Sequence, residues 1–337
     1  MHAGQRYSLT ELLTWTRRDI FWLFTWSSLP VLFYELFGWT WIAMPWVPIA
    51  LVGTAAAFIV GFRNNATYSR TWEARQIWGA IVNNSRSWGM LVKNYLPMNL
   101  TTSNEQTINE IHRQLIYRHI AWLTALRYQL RAPREWETMN LSENRKYSQF
   151  YHIPEKASPL EDELKKYLSN QDYNHIIGKT NRAAQLVNMQ SEHIKKLYSE
   201  GWLDNYTFVD MQKVLQSFYD EQGKSERIKN FPYPRQFASI NLFFIRLFVV
   251  LVPFGMLNEF SKLGQHMTWL SIPASLLVTW VFSSMEKVGV STENPFMGGP
   301  NDVPISALSR TIEIDLREML NETDIPPSLQ PVNKILM

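Results

Sequence analysis

The sequence predicts an all-α membrane protein in which two transmembrane helical hairpins enclose a water-facing helical domain. Two pairs of long, charge-poor segments carry this prediction, one pair near each end of the chain. The mean hydropathy of −0.21 is that of a soluble protein, but an average hides segregation along the chain. Fourteen tryptophans and 14% aromatic residues favour a membrane protein, because these rings concentrate at membrane–water interfaces.

The first predicted element is an interfacial helix within residues 1–19. Ser8 and Glu11 have the spacing of a capping box, which marks a helix N-terminus. The leucines that follow, together with Arg17 and Arg18, are typical of a helix lying on a membrane surface. A helix packed on a soluble core explains the same residues equally well.

The first hairpin is predicted at residues 20–62. Segment 20–34 is uncharged and aromatic, and segment 42–62 holds no charge over 21 residues. A spanning helix needs about 20 apolar residues. The second span of this hairpin, 42–62, is the candidate pore-lining helix.

Residues 63–236 are predicted to form a cytosolic helical domain. Apolar residues recur at helical spacing, and glycines mark two helix ends. Three helices are predicted there, at 107–131, at 174–200 ended by Gly201, and at 205–222 ended by Gly223. The proline-containing segment 132–160 is predicted to be a loop.

The second hairpin is predicted at residues 237–285. Its spans are 242–257, which is apolar apart from Arg246, and the charge-free 267–285. Residues 286–337 then form a cytosolic turn, an amphipathic helix over 305–320 and a polar tail.

The distribution of basic residues predicts the orientation. An even number of spans places both termini and the large domain on one side of the membrane. That side carries five arginines near the spans (Arg17, Arg18, Arg63, Arg70 and Arg75), whereas the hairpin links carry only Lys262 as a basic group. The positive-inside rule therefore predicts a multi-pass protein of a bacterial inner membrane with its large domain in the cytoplasm.

Composition argues against several other classes of protein. The chain has no cysteine, which excludes disulfides and thiolate metal sites, and a net charge of +3 is too small to imply a nucleic-acid partner. The seven histidines are scattered without metal-ligand spacing, and there is no phosphate-binding loop. We therefore expect a protein that is not an enzyme and has no cofactor.

One face of the second span is a candidate pore lining. Thr54, Phe58 and Phe62 follow i, i+4, i+8 spacing, and an adjacent ridge of small residues consists of Gly53, Ala57 and Gly61. Small residues let helix backbones approach closely in a membrane, so copies of this helix are predicted to pack through the ridge. The phenylalanines would then form an apolar constriction. On spacing alone, lipid-facing or core aromatics remain the favoured alternative.

Three motifs strengthen the pore hypothesis. The first runs from Gly61 to Arg86 and contains Arg63, Asn64, Asn65, Arg70, Trp72, Glu73 and Arg75. The second comprises Gly223, residues 226–228, 231–234 and 251–255; the third comprises residues 293–296 and 301–302. In order and spacing these motifs resemble the bestrophin family in its bacterial branch, over nearly the whole chain.

The resemblance implies a bestrophin-type homopentamer around one axial pore, with membrane lipid and small ions such as chloride as its other partners. It places a membrane neck at Thr54, Phe58 and Phe62 and a cytosolic aperture at Tyr206. The family usually has a larger aliphatic residue where Thr54 stands, so the upper neck is expected to be wider and more polar here.

Animal members of the family bind calcium through an acidic run after the Asn-Pro-Phe motif. Here that motif is followed by a single carboxylate, Asp302. Calcium prefers six to eight oxygen ligands, several of them carboxylates. We therefore predict no metal site, with Asp302 as a weak candidate only and with a structural role in joining the C-terminal helix to a neighbouring subunit.

The charged residues beside the spans have two interpretations. Arg63, Arg70, Glu73 and Arg75 either attract anions toward the pore mouth or form structural ion pairs, and the second is favoured for most of them. A local pair between Glu73 and Arg70, and an inter-span pair between Glu35 and Arg246, remain open.

The function predicted from these observations is a passive ion channel, with chloride as the expected permeant ion. A cation-selective channel of the same type is the main alternative. A secondary transporter would need repeats or broken spans, and only Pro45 and Pro48 interrupt the second span. A membrane scaffold is the remaining alternative.

Overall fold

The computed structural model describes residues 1–4, 6–96, 105–140, 142–264 and 266–337. Within these ranges the regular structure is helical apart from isolated β-bridges, which confirms the all-α prediction. The helices are α1 (Leu9–Phe37), α2 (Trp46–Tyr95), α3 (Glu105–Arg131), α4 (Ser142–Tyr147), α5 (Pro154–Ala157), α6 (Leu160–Lys165), α7 (Asn170–Ile177), α8 (Arg182–Ser199), α9 (Asn205–Asn230), α10 (Arg235–Ser261), α11 (Ser271–Thr292) and α12 (Ile305–Met319).

The chain divides into two compact units. The membrane unit comprises residues 4–70 and 232–293, and the helical unit comprises residues 1–3, 71–231 and 294–337. Four helical segments in the described chain are long and apolar enough to cross a membrane, and they are Leu9–Phe37, Thr40–Tyr95, Arg235–Ser261 and Thr268–Thr292. They overlap the spans of the two predicted hairpins.

Helix α1 joins two elements that the sequence predicts separately. The capping box is present: the Ser8 amide donates to Glu11 Oε2 at 2.7 Å, and the Glu11 amide donates to Ser8 Oγ at 3.2 Å. From there the helix runs without a break to Gly38, whose left-handed φ of 67° ends it. The boundary predicted after residue 19 marks only a change in hydropathy. The helix continues through it because charged side chains do not interrupt a helical backbone.

Helix α2 begins where the sequence places an interruption. Pro45 precedes its first residue and Pro48 lies in its first turn, where backbone N–H groups have no intrahelical acceptor and proline is tolerated. These prolines therefore start the span and do not break it. The helix then continues for 50 residues to Tyr95 and supplies residues to both units.

In the membrane unit, α2 buries one face against α10. Ile49, Ala56 and Val60 are buried there, in apolar clusters that include Phe248 and Ile245 of α10. Helices α1 and α10 both pack against α11. The indole of Trp280 donates to Thr16 Oγ1 at 3.0 Å and ties α11 to α1.

The core of the helical unit forms around α3, which packs against α8, α9 and α12. Its centre is aromatic: the ring of His119 lies 4.5 Å from that of Phe218 and 5.1 Å from that of Trp122. The indole of Trp122 donates to Gln222 Oε1 at 3.0 Å, so its buried polar atom is satisfied.

Several predicted helix ends differ from the observed ones. The helix predicted at 174–200 is two helices, α7 and α8, because Asn181 caps α8 by accepting a hydrogen bond from the Ala184 amide at 3.0 Å. Gly201 has a left-handed φ of 80°, as expected of a residue that ends a helix. Gly223 does not end α9, which continues to Asn230.

The remaining parts of the helical unit differ less from prediction. The segment 132–160 contains short helical turns instead of an irregular loop, whereas α3 and α12 lie where the sequence places them. The final residues fold back on the unit, since the Ala307 amide donates to Met337 O at 2.6 Å and the Ala3 amide to Lys334 O at 2.7 Å.

Candidate pore-lining site

The predicted neck residues lie on the exposed face of α2. Phe58 and Phe62 are 65% and 70% exposed, and their ring centroids are 6.4 Å apart. The same exposed stripe continues toward the helix N-terminus through Leu51 and Val47, which the sequence analysis did not include. The spacing of 47, 51, 54, 58 and 62 keeps these residues on one side of the helix. Within one chain, the stripe is therefore a continuous apolar surface.

Thr54 presents a less polar side chain than a threonine usually does, because its hydroxyl is bonded within the helix. Its hydroxyl donates to the Ala50 carbonyl of the preceding turn at 3.0 Å. The proton of this hydroxyl is therefore used by the helix backbone, as is common for threonine on an apolar helix. What Thr54 adds to the exposed stripe is a small side chain with one oxygen acceptor.

The ridge of small residues does not act as a unit. Gly53 is buried against α10, where an added Cβ would lie 2.5 Å from Phe248 Cε2. Ala57 and Gly61 are exposed. The expectation that the whole ridge packs on other copies is therefore wrong for Gly53, which serves packing within the chain.

Arg63 lies about 100° around α2 from Phe62, on a different side of the helix, and is buried, with 4% exposure. Its Nη1 contacts Glu286 Oε1 and its Nη2 contacts Glu293 Oε2, both at 3.1 Å. Both carboxylates belong to the region of α11. One guanidinium thus holds two acidic groups, a geometry that suits the fork of arginine.

This ion-pair cluster brings together all three sequence motifs. Arg63 is from the first motif, Tyr233 from the second, and Glu293 from the third. The Arg63 guanidinium lies 6.0 Å from the centre of the Tyr233 ring, and Arg235 Nη1 contacts Glu293 Oε1 at 3.1 Å. For Arg63, these contacts favour the structural interpretation over the attraction of anions.

The neighbouring motif residues divide between packing and exposure. Asn64 Nδ2 donates to the Met285 carbonyl at 3.1 Å and so also fastens α2 to α11. Asn65, Trp72 and Arg75 are exposed, and Arg70 is half-buried.

Two acidic residues whose pairing the sequence leaves open have contacts in the structure. Glu73 forms an ion pair with Arg227 of α9, which belongs to the second motif. Glu35, considered with Arg246 on the sequence, accepts a hydrogen bond from the Thr268 hydroxyl. Glu73 and Glu35 thus each contact a polar group from a distant part of the chain.

Tyr206, the predicted aperture residue, is 84% exposed in the first turn of α9. Asp204 fixes this turn, accepting hydrogen bonds from the Thr207 amide at 2.9 Å and the Thr207 hydroxyl at 2.8 Å. These hydrogen bonds lower the pKa of Asp204. A negatively charged cap therefore holds the helix start that presents the tyrosine ring.

Asp302 is buried and bonded within its own chain. Its Oδ2 accepts from the Gly298 amide at 2.7 Å and from Arg131 Nη1 of α3 at 3.0 Å. Burial raises the pKa of Asp302, and the adjacent Arg131 guanidinium opposes that rise. Within its own chain Asp302 thus bonds to α3, and its expected role in joining the C-terminal helix to a neighbouring subunit stays a prediction.

The surroundings of Asp302 do not fit calcium. The cation beside this carboxylate is Arg131, whereas calcium needs several oxygen ligands. The described part of the chain contains no group of three or more acidic, histidine or cysteine side chains placed to hold a metal ion.

Sequence reasoning missed the acidic partners of Arg63. Glu286 directly follows the charge-free segment 267–285, and a carboxylate beside a span usually has a specific partner. That position was an available signal. The identity of the partner, more than 200 residues away, was not encoded in any local pattern.

Comparisons with known proteins agree with this architecture. A family model described as bacterial/fungal bestrophin protein matches residues 14–318. A protein of Escherichia coli K12 named voltage-dependent anion channel-forming protein YneE is 26% identical over 284 residues, covering 84% of this chain and 80% of that protein. A Ralstonia nicotianae protein named voltage-dependent anion channel-forming protein RSc3414 is 26% identical over 278 residues, covering 82% of this chain and 78% of that protein.

A solved structure shares the fold. The crystal structure of a bacterial bestrophin homologue from Klebsiella pneumoniae superposes with a TM-score of 0.74 at 22% sequence identity, covering 90% of this chain and 98% of that one. The likeness extends over both units of the present chain.

Proposed function

We propose that this chain, which belongs to the bacterial and fungal bestrophin family, is the pore-forming subunit of a passive anion channel in a membrane. Two proteins similar to it in sequence carry the name voltage-dependent anion channel-forming protein. In the described part of the chain, four apolar helices are long enough to cross a membrane, which supports the location. The proposed role is conduction and not catalysis.

The observation that carries this proposal is the arrangement of α2. One face of the helix is buried within the chain, and the opposite face exposes Phe58 and Phe62 at 65% and 70%. Beside them, Ala57 and Gly61 are exposed and small. Copies of α2 can therefore approach closely while presenting aromatic rings to a shared axis.

We infer a homopentamer with its neck at Thr54, Phe58 and Phe62 and a second constriction at Tyr206. A narrow apolar neck gates ions by dewetting, because ions do not pass a constriction that water has left. Ring edges carry partial positive charge, and edges directed at the axis favour anions such as chloride. The arginines near the spans support a bacterial inner membrane location with both termini and the helical unit in the cytoplasm.

The first test is current through the purified protein in a planar bilayer under a potassium chloride gradient. We expect a reversal potential close to that of chloride. A reversal close to the potassium potential would keep the channel and overturn the anion assignment. Absence of current from folded, assembled protein would overturn the channel itself.

The neck assignment is tested by Phe58→Ala and Phe62→Ala. Both are expected to increase conductance, because a smaller side chain widens and wets the constriction. Phe243→Ala is the matched control, since Phe243 is an exposed phenylalanine of α10 in the same unit. Equal effects of all three substitutions would place the neck elsewhere.

A further inference from the structure

Three amide side chains lie on one line of α2 within the helical unit, and they are Gln76, Asn83 and Asn94. At about 100° per residue, steps of seven and eleven residues each return to within about 20° of the starting direction. The line is about 27 Å long, because the helix rises by about 1.5 Å per residue. All three residues are exposed. The helical unit therefore presents a long row of neutral hydrogen-bonding groups, which we call the amide row.

The amide row is not used by the fold. None of its three side chains forms a hydrogen bond within the described part of the chain. By contrast, Nδ2 of the exposed Asn188 of α8 donates to Glu192 Oε1 at 2.8 Å. Each free amide keeps two N–H donors and one carbonyl acceptor. These groups are therefore available to water or to an ion.

The side chains beside the amide row suit transport better than tight binding. Ala80, Ser87 and Met90 lie on the same side of α2 and carry no charge. Conduction requires contacts that are favourable enough for an ion to enter and weak enough for it to leave. Neutral amides meet both conditions, whereas a charged group within the row would hold its counterion.

The charges that border the amide row are basic. Arg75 directly precedes Gln76, and Lys93 directly precedes Asn94. Arg75 is exposed and Lys93 is half-buried, and neither has an ion-pair partner among the described residues. The one acidic residue of α2, Glu73, is held in an ion pair with α9. Unpaired cations without unpaired acids raise the local concentration of anions.

One end of the amide row opens onto a groove of about 450 Å³. Met90, Lys93 and Asn94 line this groove together with Met319 of α12. A free amide and an unpaired cation are therefore open to the same space.

We propose that Gln76, Asn83 and Asn94 line the ion path of the helical unit, where their N–H groups replace water around a passing anion. This inference rests on the proposed channel function and extends it to residues outside the neck. An amide carbonyl suits a cation equally well, so the preference for anions comes from Arg75 and Lys93. The amides provide contacts without fixed charge, and the two cations provide the excess of anions.

The test uses the absence of cysteine from this chain, which makes any introduced thiol unique. Gln76→Cys, Asn83→Cys and Asn94→Cys are recorded in a planar bilayer before and after reaction with a methanethiosulfonate reagent that carries a sulfonate. We expect the attached negative charge to reduce the anion current at least about twofold at each position. A trimethylammonium reagent should reduce it less or increase it. Asn188→Cys is the control, and after equal labelling, measured by mass spectrometry, its current should not change.

A charge substitution gives a second readout that needs no labelling. Asn83→Asp should move the reversal potential away from that of chloride, and Asn188→Asp should not. The shift should shrink as the salt concentration rises from about 0.1 M to about 1 M, because the screening length falls from about 10 Å to about 3 Å.

The outcomes separate this inference from the channel proposal. If the cysteine variants conduct and are labelled but their currents do not change, the amide row lies outside the ion path while the channel stands. If the thiols of conducting protein are not labelled, the row is covered and the inference is wrong. If the wild type carries no current, the channel proposal fails and this inference fails with it.

Discussion

Arg63 provides the sharpest test of how the membrane unit holds together. Replacing it with glutamine removes the cation between Glu286 and Glu293, which it contacts at 3.1 Å each. Removing one partner of a buried ion pair costs about 3–5 kcal/mol. Glu293 would keep Arg235, so we expect the lower end, about 3 kcal/mol of unfolding free energy. Arg86→Gln breaks an exposed pair with Asp315 and should cost less than about 1 kcal/mol.

The assay is a denaturant or thermal unfolding curve of the purified protein in one detergent, measured for single and double variants. Arg63→Lys keeps the charge but not the fork that bridges both carboxylates, so its loss should be intermediate. The double variant Glu286→Gln, Arg63→Gln should lose less unfolding free energy than the two single variants together, because the double change leaves no unpaired charge in the cluster. The cluster does not stabilise the unit in this way if the unfolding free energy of Arg63→Gln lies within about 1 kcal/mol of that of the wild type. The same conclusion holds if the losses of the two single variants add up to the loss of the double variant.

Two further predictions concern packing and pH. Gly53→Ala should destabilise the protein by about 1–3 kcal/mol, because its Cβ would lie 2.5 Å from a ring of α10; equal unfolding curves for variant and wild type would contradict the close approach. Burial lowers the pKa of His119 to about 3. Below about pH 6.5, the pKa of an unperturbed histidine, the unfolded chain therefore takes up a proton that the folded chain does not. The free energy of unfolding then falls as the pH falls, by about 1.4 kcal/mol per pH unit. His119→Gln should flatten this dependence between pH 6 and 4, and the same substitution at the exposed His175 should not.

The helical fold could be predicted where one local property decides the outcome. Long segments without charge become apolar helices whatever their partners are, and Ser8 and Glu11 cap α1 as their spacing requires. Helix ends in the helical unit were less predictable. A glycine inside a helix costs only about 1 kcal/mol, so Gly223 is tolerated within α9. The actual end of that helix comes just before Pro232, a residue that cannot continue it.

The candidate site was predictable in one respect and not in another. The spacing of Thr54, Phe58 and Phe62 places them on one helix face, and this needs no knowledge of the rest of the chain. The partners of Arg63 and Asp302 lie on other helices, and only the folded backbone brings them together. A resemblance in motifs marks such residues without saying what they contact.

The ridge of small residues shows why a repeat in sequence is not yet an interface. An α-helix turns by about 100° per residue, so a repeat of four residues drifts by about 40° at each step. Gly53 and Gly61 are therefore about 80° apart around α2, which carries Gly53 onto the ring of Phe248 and leaves Gly61 exposed. Only the C-terminal part of the ridge, Ala57 and Gly61, is exposed and can pack against another chain. Because it lies beside Phe58 and Phe62, the surface that admits a close neighbour and the surface that would line a pore are adjacent on one helix.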